Sequence, residues 1–196
     1  MITREKIHNL VNQYNKGVNL PPVKLISTAD LPLETSATIA AAFDNAANDL
    51  TGTDTRRAYG QFIRELVNQY SLLSQYIHFE FTAVNPYENQ SKLMFKDIEE
   101  NGHLLVFTGG EHHPTMRDAN KIFRAVHDVF GHYINYNSFS FTGEYRAYLH
   151  HKQTFSPLAQ RALFSETIAQ NSYYRIHQKF SEQKTVILPE GITALC

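Results

Sequence analysis

The sequence contains one cysteine and no tryptophan. The cysteine, Cys196, is the last residue, so the chain offers neither a disulfide partner nor a set of thiolate ligands for a metal ion. Disulfides belong mainly to oxidising compartments, and their absence makes a cytoplasmic location the expectation.

The chain also lacks an excess of charge and a long apolar segment. Lys and Arg number 18 and Asp and Glu number 19, which gives a net charge of -1. No basic surface for nucleic acid is therefore indicated. No apolar run approaches the ~20 residues needed to span a bilayer. We expect a small-molecule substrate as the partner, with no nucleic acid and no membrane; the oligomeric state is left open.

Periodicity predicts a helix-dominated α+β fold, a single domain over residues 1–196 with a small sheet. The predicted helices lie at about 3–15, 34–48, 55–76, 91–102, 117–131, 142–152 and 156–180. The predicted strands are 23–27, 77–84, 103–110 and 184–189. A helix between the second and third strands favours a βαβ-like unit, although an antiparallel route is not excluded.

Histidine is abundant, with ten in 196 residues. Seven of them fall within one 50-residue window: His103, His112, His113, His127, His132, His150 and His151. This window lies in the segment from about 103 to 180, which we expect to hold any metal site.

The stretch "HDVFGH" places His127 and His132 five positions apart. On a regular α-helix five residues rotate the side-chain direction by about 140° net, so the two rings would point to different sides. A shared ion requires the helix to stop between them. Gly131 offers that stop, because glycine takes the left-handed conformation that ends helices. We therefore predict that the chain turns at Gly131 and returns His132 toward His127.

Two carboxylates are candidates for a third ligand. Glu166 sits in an apolar helical stretch, where burying an unpaired charge would be costly, and a metal ion would be a suitable partner. Glu144 begins a helix, where an acidic residue is also explained by the helix dipole. Asp128 points about 100° away from its neighbour His127 and suits a supporting role or solvent. Two His and one carboxylate form the pattern of non-haem Fe(II) oxygenases, but zinc or manganese is compatible too.

The hexapeptide His127–His132 resembles the metal motif of the pterin-dependent aromatic amino acid hydroxylases, especially the bacterial phenylalanine hydroxylases. The resemblance covers about residues 112–172. It implies that His127 and His132 bind iron and that Glu166, 34 residues after the second histidine, is the third ligand. It also allows a pterin as reducing co-substrate, although no stacking platform for a pterin is recognisable in the sequence.

A looser resemblance is to proteins of phage and bacterial origin without a known activity, which share a His-Asp-x-Phe-Gly-His, Gly-Glu and Glu-Thr pattern. It would place Gly143-Glu144 and Glu166-Thr167 in one site.

Three functions follow from these patterns. The first is a mononuclear non-haem iron protein, an O2-dependent hydroxylase of a small aromatic or apolar substrate, with Glu144 as a nearby catalytic base or alternative ligand. The second is a zinc or manganese hydrolase in which Glu144 acts as general base. The third is a non-catalytic binding module whose metal is structural or absent, for example if His113 or His150 closes the ligand shell. Tyrosines could line a pocket: Tyr133, Tyr136, Tyr148, Tyr173 and Tyr174.

Overall fold

The computed structural model of the chain describes residues 1–110 and 112–196. Within these residues nine α-helices follow one another: α1 (Arg4–Gly17), α2 (Leu33–Asn45), α3 (Thr53–Leu73), α4 (Ser91–Asn101), α5 (Ala119–His127), α6 (Phe141–His151), α7 (Pro157–Phe164), α8 (Gln170–His177) and α9 (Glu190–Thr193). The predicted class, a helix-dominated α+β fold with a small sheet, is confirmed. None of the helices in the described part is long and apolar enough to cross a membrane.

The sheet has two parallel strands, β1 (His78–Thr82) and β2 (His103–Phe107). Helix α4 connects them and ends at Gly102, whose φ of 61° is the left-handed conformation that glycine adopts readily. The predicted βαβ-like unit is therefore confirmed, with His78 directly opposite His103 in the register.

Two predicted strands, 23–27 and 184–189, are absent from the sheet and form irregular segments. Some of their apolar residues are nevertheless buried, namely Val23, Val186 and Leu188. Their amides pair with side chains instead of a neighbouring strand: the Ile26 amide, for example, donates to the ring of His150. Apolar residues in these segments are thus buried without β-pairing.

Two helices continue into π-helical turns. Helix α5 leads into the first π-turn (Asp128–His132), and α7 leads into the second π-turn (Ser165–Ala169). The long helix α3 lies between α5 and α7 in the core, and the first π-turn packs against α6. This packing places the histidines of the first π-turn beside the start of α6.

Candidate metal centre

The first π-turn explains the five-residue spacing of His127 and His132. In a π-turn the hydrogen bonds join residues five apart, so such residues lie one above the other. The amide of Tyr133 accordingly donates to the carbonyl of Asp128. The two imidazole rings meet nearly at right angles, with centroids 5.1 Å apart.

The prediction that Gly131 ends the helix in a left-handed conformation is wrong. The glycines with positive φ in the described residues are Gly102 and Gly110. Gly131 is needed for a different reason: a Cβ there would lie 3.1 Å from the carbonyl oxygen of Ala147 and 3.1 Å from the ring of His127. Glycine therefore lets α6 approach the π-turn closely.

Glu144 is the carboxylate that faces the two histidines. Its Oε1 lies 3.5 Å from His132 Nε2, and its Oε2 lies 3.8 Å from His127 Nε2. The side-chain amide of Asn171 donates to Oε2 at 3.3 Å. Ligand atoms of His127, His132 and Glu144 all lie within 4.8 Å of one another, so these three side chains form a candidate metal-binding group.

The start of α6 holds Glu144 in this position. The side chain of Ser140 caps the helix by accepting a hydrogen bond from the amide of Gly143. A Cβ on Gly143 would collide with the backbone of Ser138, so glycine is required where the preceding loop crosses the helix. Glu144 follows in the first helical turn and projects toward the π-turn.

A chain of hydrogen bonds determines which ring nitrogen of His127 carries hydrogen. The side-chain amide of Gln69 donates to the carbonyl of Thr154, so its oxygen is the atom that meets His151 Nε2 at 3.1 Å. His151 Nε2 therefore carries hydrogen and its Nδ1 accepts. His127 Nδ1, 3.0 Å away, must donate to it. This leaves the lone pair of His127 on Nε2, the atom that faces Glu144.

His132 is oriented in the same way by a simpler route. Its Nδ1 lies 3.0 Å from the carbonyl oxygen of Asn137, which can only accept, so Nδ1 donates. Its Nε2 is left facing Glu144. Metal-binding histidines are typically arranged in this way, with one nitrogen donating to a protein acceptor and the other binding the ion.

His127 Nε2 is buried and has no hydrogen-bond partner among the described residues. A buried polar atom without a partner is uncommon and costly. A metal ion beside Glu144 would supply the missing partner.

Glu144 and the two histidines also shift one another's pKa values. Burial would lower the pKa of His132, but the carboxylate of Glu144 outweighs it and raises that pKa to about 9. Burial would likewise raise the pKa of Glu144, whereas His132 and His127 lower it. The pKa of His127 is lowered, chiefly by burial. Burial also raises the pKa of Asp128 to about 7. The protein thus holds an ionised carboxylate next to the neutral ring of His127 and the readily protonated ring of His132, at a place where Glu144 lines a cavity. A metal ion that binds there would displace the proton of His132.

The spacing suits an ion of the first transition series. With metal–ligand bonds of ~2.1 Å, two ligands stand about 3.0 Å apart at right angles and about 3.4 Å apart in a tetrahedron. The observed separations from Glu144 of 3.5 and 3.8 Å require only a small closing movement of the side chains. The residues present therefore fit a metal ion.

Glu166 lies elsewhere, which corrects its expected place as third ligand. Its Oε1 accepts from the hydroxyl of Tyr59 at 2.5 Å and faces His113 Nε2 at 3.0 Å, while Oε2 accepts from Gln170 at 3.0 Å. It does not join the group formed by His127 and His132 among the described residues. The buried charge does have partners, as expected, but they are hydrogen-bond donors.

The two histidines considered as closing ligands are also engaged elsewhere. The Nδ1 of His113 accepts from the amides of Thr115 and Met116, so its Nε2 donates to Glu166. The Nε2 of His150 accepts from the amide of Ile26. Neither residue belongs to the candidate metal group in the part of the chain described.

An aromatic groove adjoins the metal-binding group. One cavity of about 1060 Å³ is lined by Glu144 and Asn171, and a neighbouring cavity of about 650 Å³ is lined by Arg124 and Asp128. The aromatic residues that line one or both cavities are Tyr87, Phe107, Phe139, Phe141, Tyr174 and Phe180. We call this surface the aromatic groove.

The groove reaches the metal-binding group at Phe139, whose ring centroid lies 5.1 Å from that of His132. Of the five tyrosines predicted to line a pocket, Tyr174 lines this groove. Tyr133, Tyr148 and Tyr173 are buried in the core instead, and Tyr136 lines a different cavity beside Glu99.

Sequence reasoning missed the supporting residues Gln69, His151, Asn137 and Asn171. The histidine-dense window contained His151, which was the one available signal. In comparisons with known proteins, no family model, curated protein or solved structure matches this chain.

Proposed function

We propose that the chain binds one divalent metal ion through His127, His132 and Glu144 and catalyses the O2-dependent hydroxylation of a small aromatic or apolar substrate. The observation that carries the proposal is the buried, unpartnered His127 Nε2, which faces a carboxylate and a second imidazole. Both histidines use Nδ1 for a hydrogen bond within the protein and direct Nε2, the nitrogen that a metal ion would bind, to the same place.

Fe(II) is the ion that we propose for this centre. Two imidazoles and one carboxylate on one side of an ion leave positions open for O2 and substrate, which is the arrangement of non-haem iron oxygenases. The resemblance of "HDVFGH" to the aromatic amino acid hydroxylases supports the same ion, although the carboxylate that faces the histidines here is Glu144. A reducing cytoplasm, which suits a chain with one cysteine, would keep iron as Fe(II).

The aromatic groove supports the substrate class. Phe107, Tyr174 and Phe180 are notably exposed for large apolar side chains. Apolar surface gathered around a concave site indicates ligand binding. Hydroxylation by O2 places one oxygen atom in the substrate and reduces the other to water, so a two-electron donor is needed. A pterin is one such donor, as the resemblance implies.

A zinc or manganese hydrolase is the second candidate. Asp128 favours it, because this carboxylate belongs to the first π-turn and lines the 650 Å³ cavity. With Glu144 among the ligands, Asp128 would replace it as general base.

Metal analysis tests these alternatives. We expect protein purified without oxygen and reconstituted with Fe(II) to hold one iron per chain, and His132→Ala to lose it. His112→Ala, which removes an exposed histidine outside the group, is the matched control and should keep the iron. One tightly held zinc that Fe(II) does not displace and that His132→Ala loses would favour the hydrolase. Failure to bind any of these metals would overturn both proposals.

Oxygen consumption then tests the reaction class. The iron-loaded protein, supplied with a reduced pterin and small aromatic compounds, should consume O2 and yield a hydroxylated product. His132→Ala should do neither. Hydrolysis of ester or amide substrates without O2 uptake would overturn the hydroxylase assignment.

A further inference from the structure

A second group of metal-ligating side chains lies on the two-stranded sheet, apart from the first π-turn. His78 and Glu80 are two residues apart on β1, so they share one face of the strand. His103 stands opposite His78 on β2, and the two rings are stacked with centroids 5.6 Å apart. Ligand atoms of the three side chains lie within 4.8 Å of one another.

His103 is oriented by a carboxylate on the helix that precedes its strand. Its Nδ1 lies 2.8 Å from Asp97 Oδ2, and its Nε2 lies 3.5 Å from Glu80 Oε2. With hydrogen on Nδ1, the lone pair of Nε2 points toward Glu80. This carboxylate–histidine arrangement is the one that supports metal-binding histidines.

Asp97 is itself held in place. It accepts hydrogen bonds from the hydroxyl of Tyr87 at 2.8 Å and from the side-chain amide of Asn101 at 2.8 Å. Burial would raise the pKa of Asp97, but these donors and His103 lower it. An ionised Asp97 can only accept, which keeps the hydrogen of His103 on Nδ1.

We propose that His78, Glu80 and His103 form a second metal site, which binds a divalent transition-metal ion such as Zn²⁺ at the start of the sheet. Asp97 is a positioning residue for His103. The site differs from the first in its exposure: Glu80 is 61% exposed and His103 20% exposed, so water completes the coordination. Its role is structural, since the ion joins β1 to β2.

The ligand chemistry selects the class of ion. Two imidazoles and one carboxylate suit divalent transition-metal ions and bind Zn²⁺, Ni²⁺ and Cu²⁺ more tightly than Fe²⁺, whereas Mg²⁺ and Ca²⁺ prefer sites made of oxygen. A two-stranded sheet is only marginally stable by itself. An ion bound across β1 and β2 in the folded protein would therefore stabilise this edge of the molecule.

Zinc titration of a His132→Ala variant tests the site apart from the first centre. We expect one Zn²⁺ per chain, and joint changes in the NMR signals of the His78 and His103 rings. His78→Ala and His103→Ala should each weaken binding at least about tenfold, and Asp97→Asn should weaken it about tenfold without changing the stoichiometry. His112→Ala is the control and should leave the affinity unchanged.

If His132→Ala does not fold, the same zinc titration is carried out on the chain with His132 intact, with and without His78→Ala. Removing the exposed His78 should then lower the zinc stoichiometry by one. Equal affinities for the His78→Ala variant and its parent would overturn the proposal, as would zinc-induced NMR changes confined to other histidines. Neither result would affect the first centre, whose ligands are different residues.

Discussion

Two clusters of imidazole and carboxylate lie in the interior, one on each π-turn, and they differ in how their polar atoms are paired. At the second π-turn, Glu166 accepts hydrogen bonds from Tyr59, His113 and Gln170. At the first, Glu144 stands 3.5 to 3.8 Å from two imidazole nitrogens, too far for a good hydrogen bond.

The difference teaches that residue type alone does not identify a metal site. Both clusters combine histidine with a buried or half-buried glutamate. In the second cluster the hydrogen of His113 Nε2 points at the carboxylate, so the contact is complete without an ion. In the first, both histidines donate from Nδ1 to other acceptors and direct Nε2 toward the carboxylate. Glu144 favours a positive charge at this place; a proton on His132 supplies it without an ion, and a metal ion would supply it by displacing that proton. We therefore treat the second cluster as structural.

Removing Glu166 should produce the largest effect on stability. In Glu166→Ala, the buried hydroxyl of Tyr59 and the ring of His113 lose their acceptor, so we expect a loss of about 3–5 kcal/mol in the free energy of unfolding. Urea denaturation measures this loss. The folded fraction should still bind metal at the first centre, and loss of metal from folded Glu166→Ala would contradict the distinction between the clusters.

Metal removal should have the next largest effect, and of the two π-turn clusters only the first should respond to it. An ion that binds the folded state alone contributes about 2.7 kcal/mol at a free concentration one hundred times its Kd. For a chain of this size, chelation should lower the melting temperature by about 5–10 °C. The comparison uses the His78→Ala background, so that the proposed sheet site does not contribute.

Glu144→Gln is the matched variant for chelation, because it keeps the shape of the side chain and loses the charge. Its melting temperature should hardly respond to the chelator. An equal response in this variant and its parent would remove Glu144 from the ligand set.

Replacing His151 tests whether the hydrogen-bond chain prepares His127. His151→Phe keeps an aromatic ring among its neighbours Phe123 and Phe155 but removes the acceptor for His127 Nδ1. We expect metal affinity to fall about 10- to 100-fold. Competition with a chromophoric chelator measures the affinity, and denaturation of the metal-free variant checks its fold. An unchanged affinity would show that His127 needs no such partner.

The sequence predicted the helices and the βαβ-like unit well because both depend on local patterns. It located His127 and His132 correctly as a pair, but it assigned the wrong local geometry. An α-turn and a π-turn differ by one residue in their hydrogen bonding. No residue type marks that difference, so the stop at Gly131 was a reasonable but mistaken mechanism.

The sequence could not predict which glutamate, Glu144 or Glu166, faces the two histidines, and the reason is a different one. Both glutamates lie on helices near the histidines, and which one faces them depends on how those helices pack. Glu166 is directed toward Tyr59 of α3, a contact 107 residues away in the chain. A contact between residues so far apart in the chain leaves no pattern in the local sequence that could predict it.

Gly131→Ala should have the smallest effect on stability of these changes, and it should affect the first cluster and not the second. The added Cβ would lie 3.1 Å from Ala147 O and from the His127 ring, tighter than normal contact, so the ring or α6 must move by a few tenths of an ångström. We expect a stability loss of about 1 kcal/mol from overpacking and a metal affinity at least tenfold weaker. Gly17→Ala is the control: its Cβ would meet nothing within 4 Å, so both quantities should be nearly unchanged. If Gly131→Ala bound metal as tightly as its parent, close packing of α6 on the first π-turn would not be what positions Glu144.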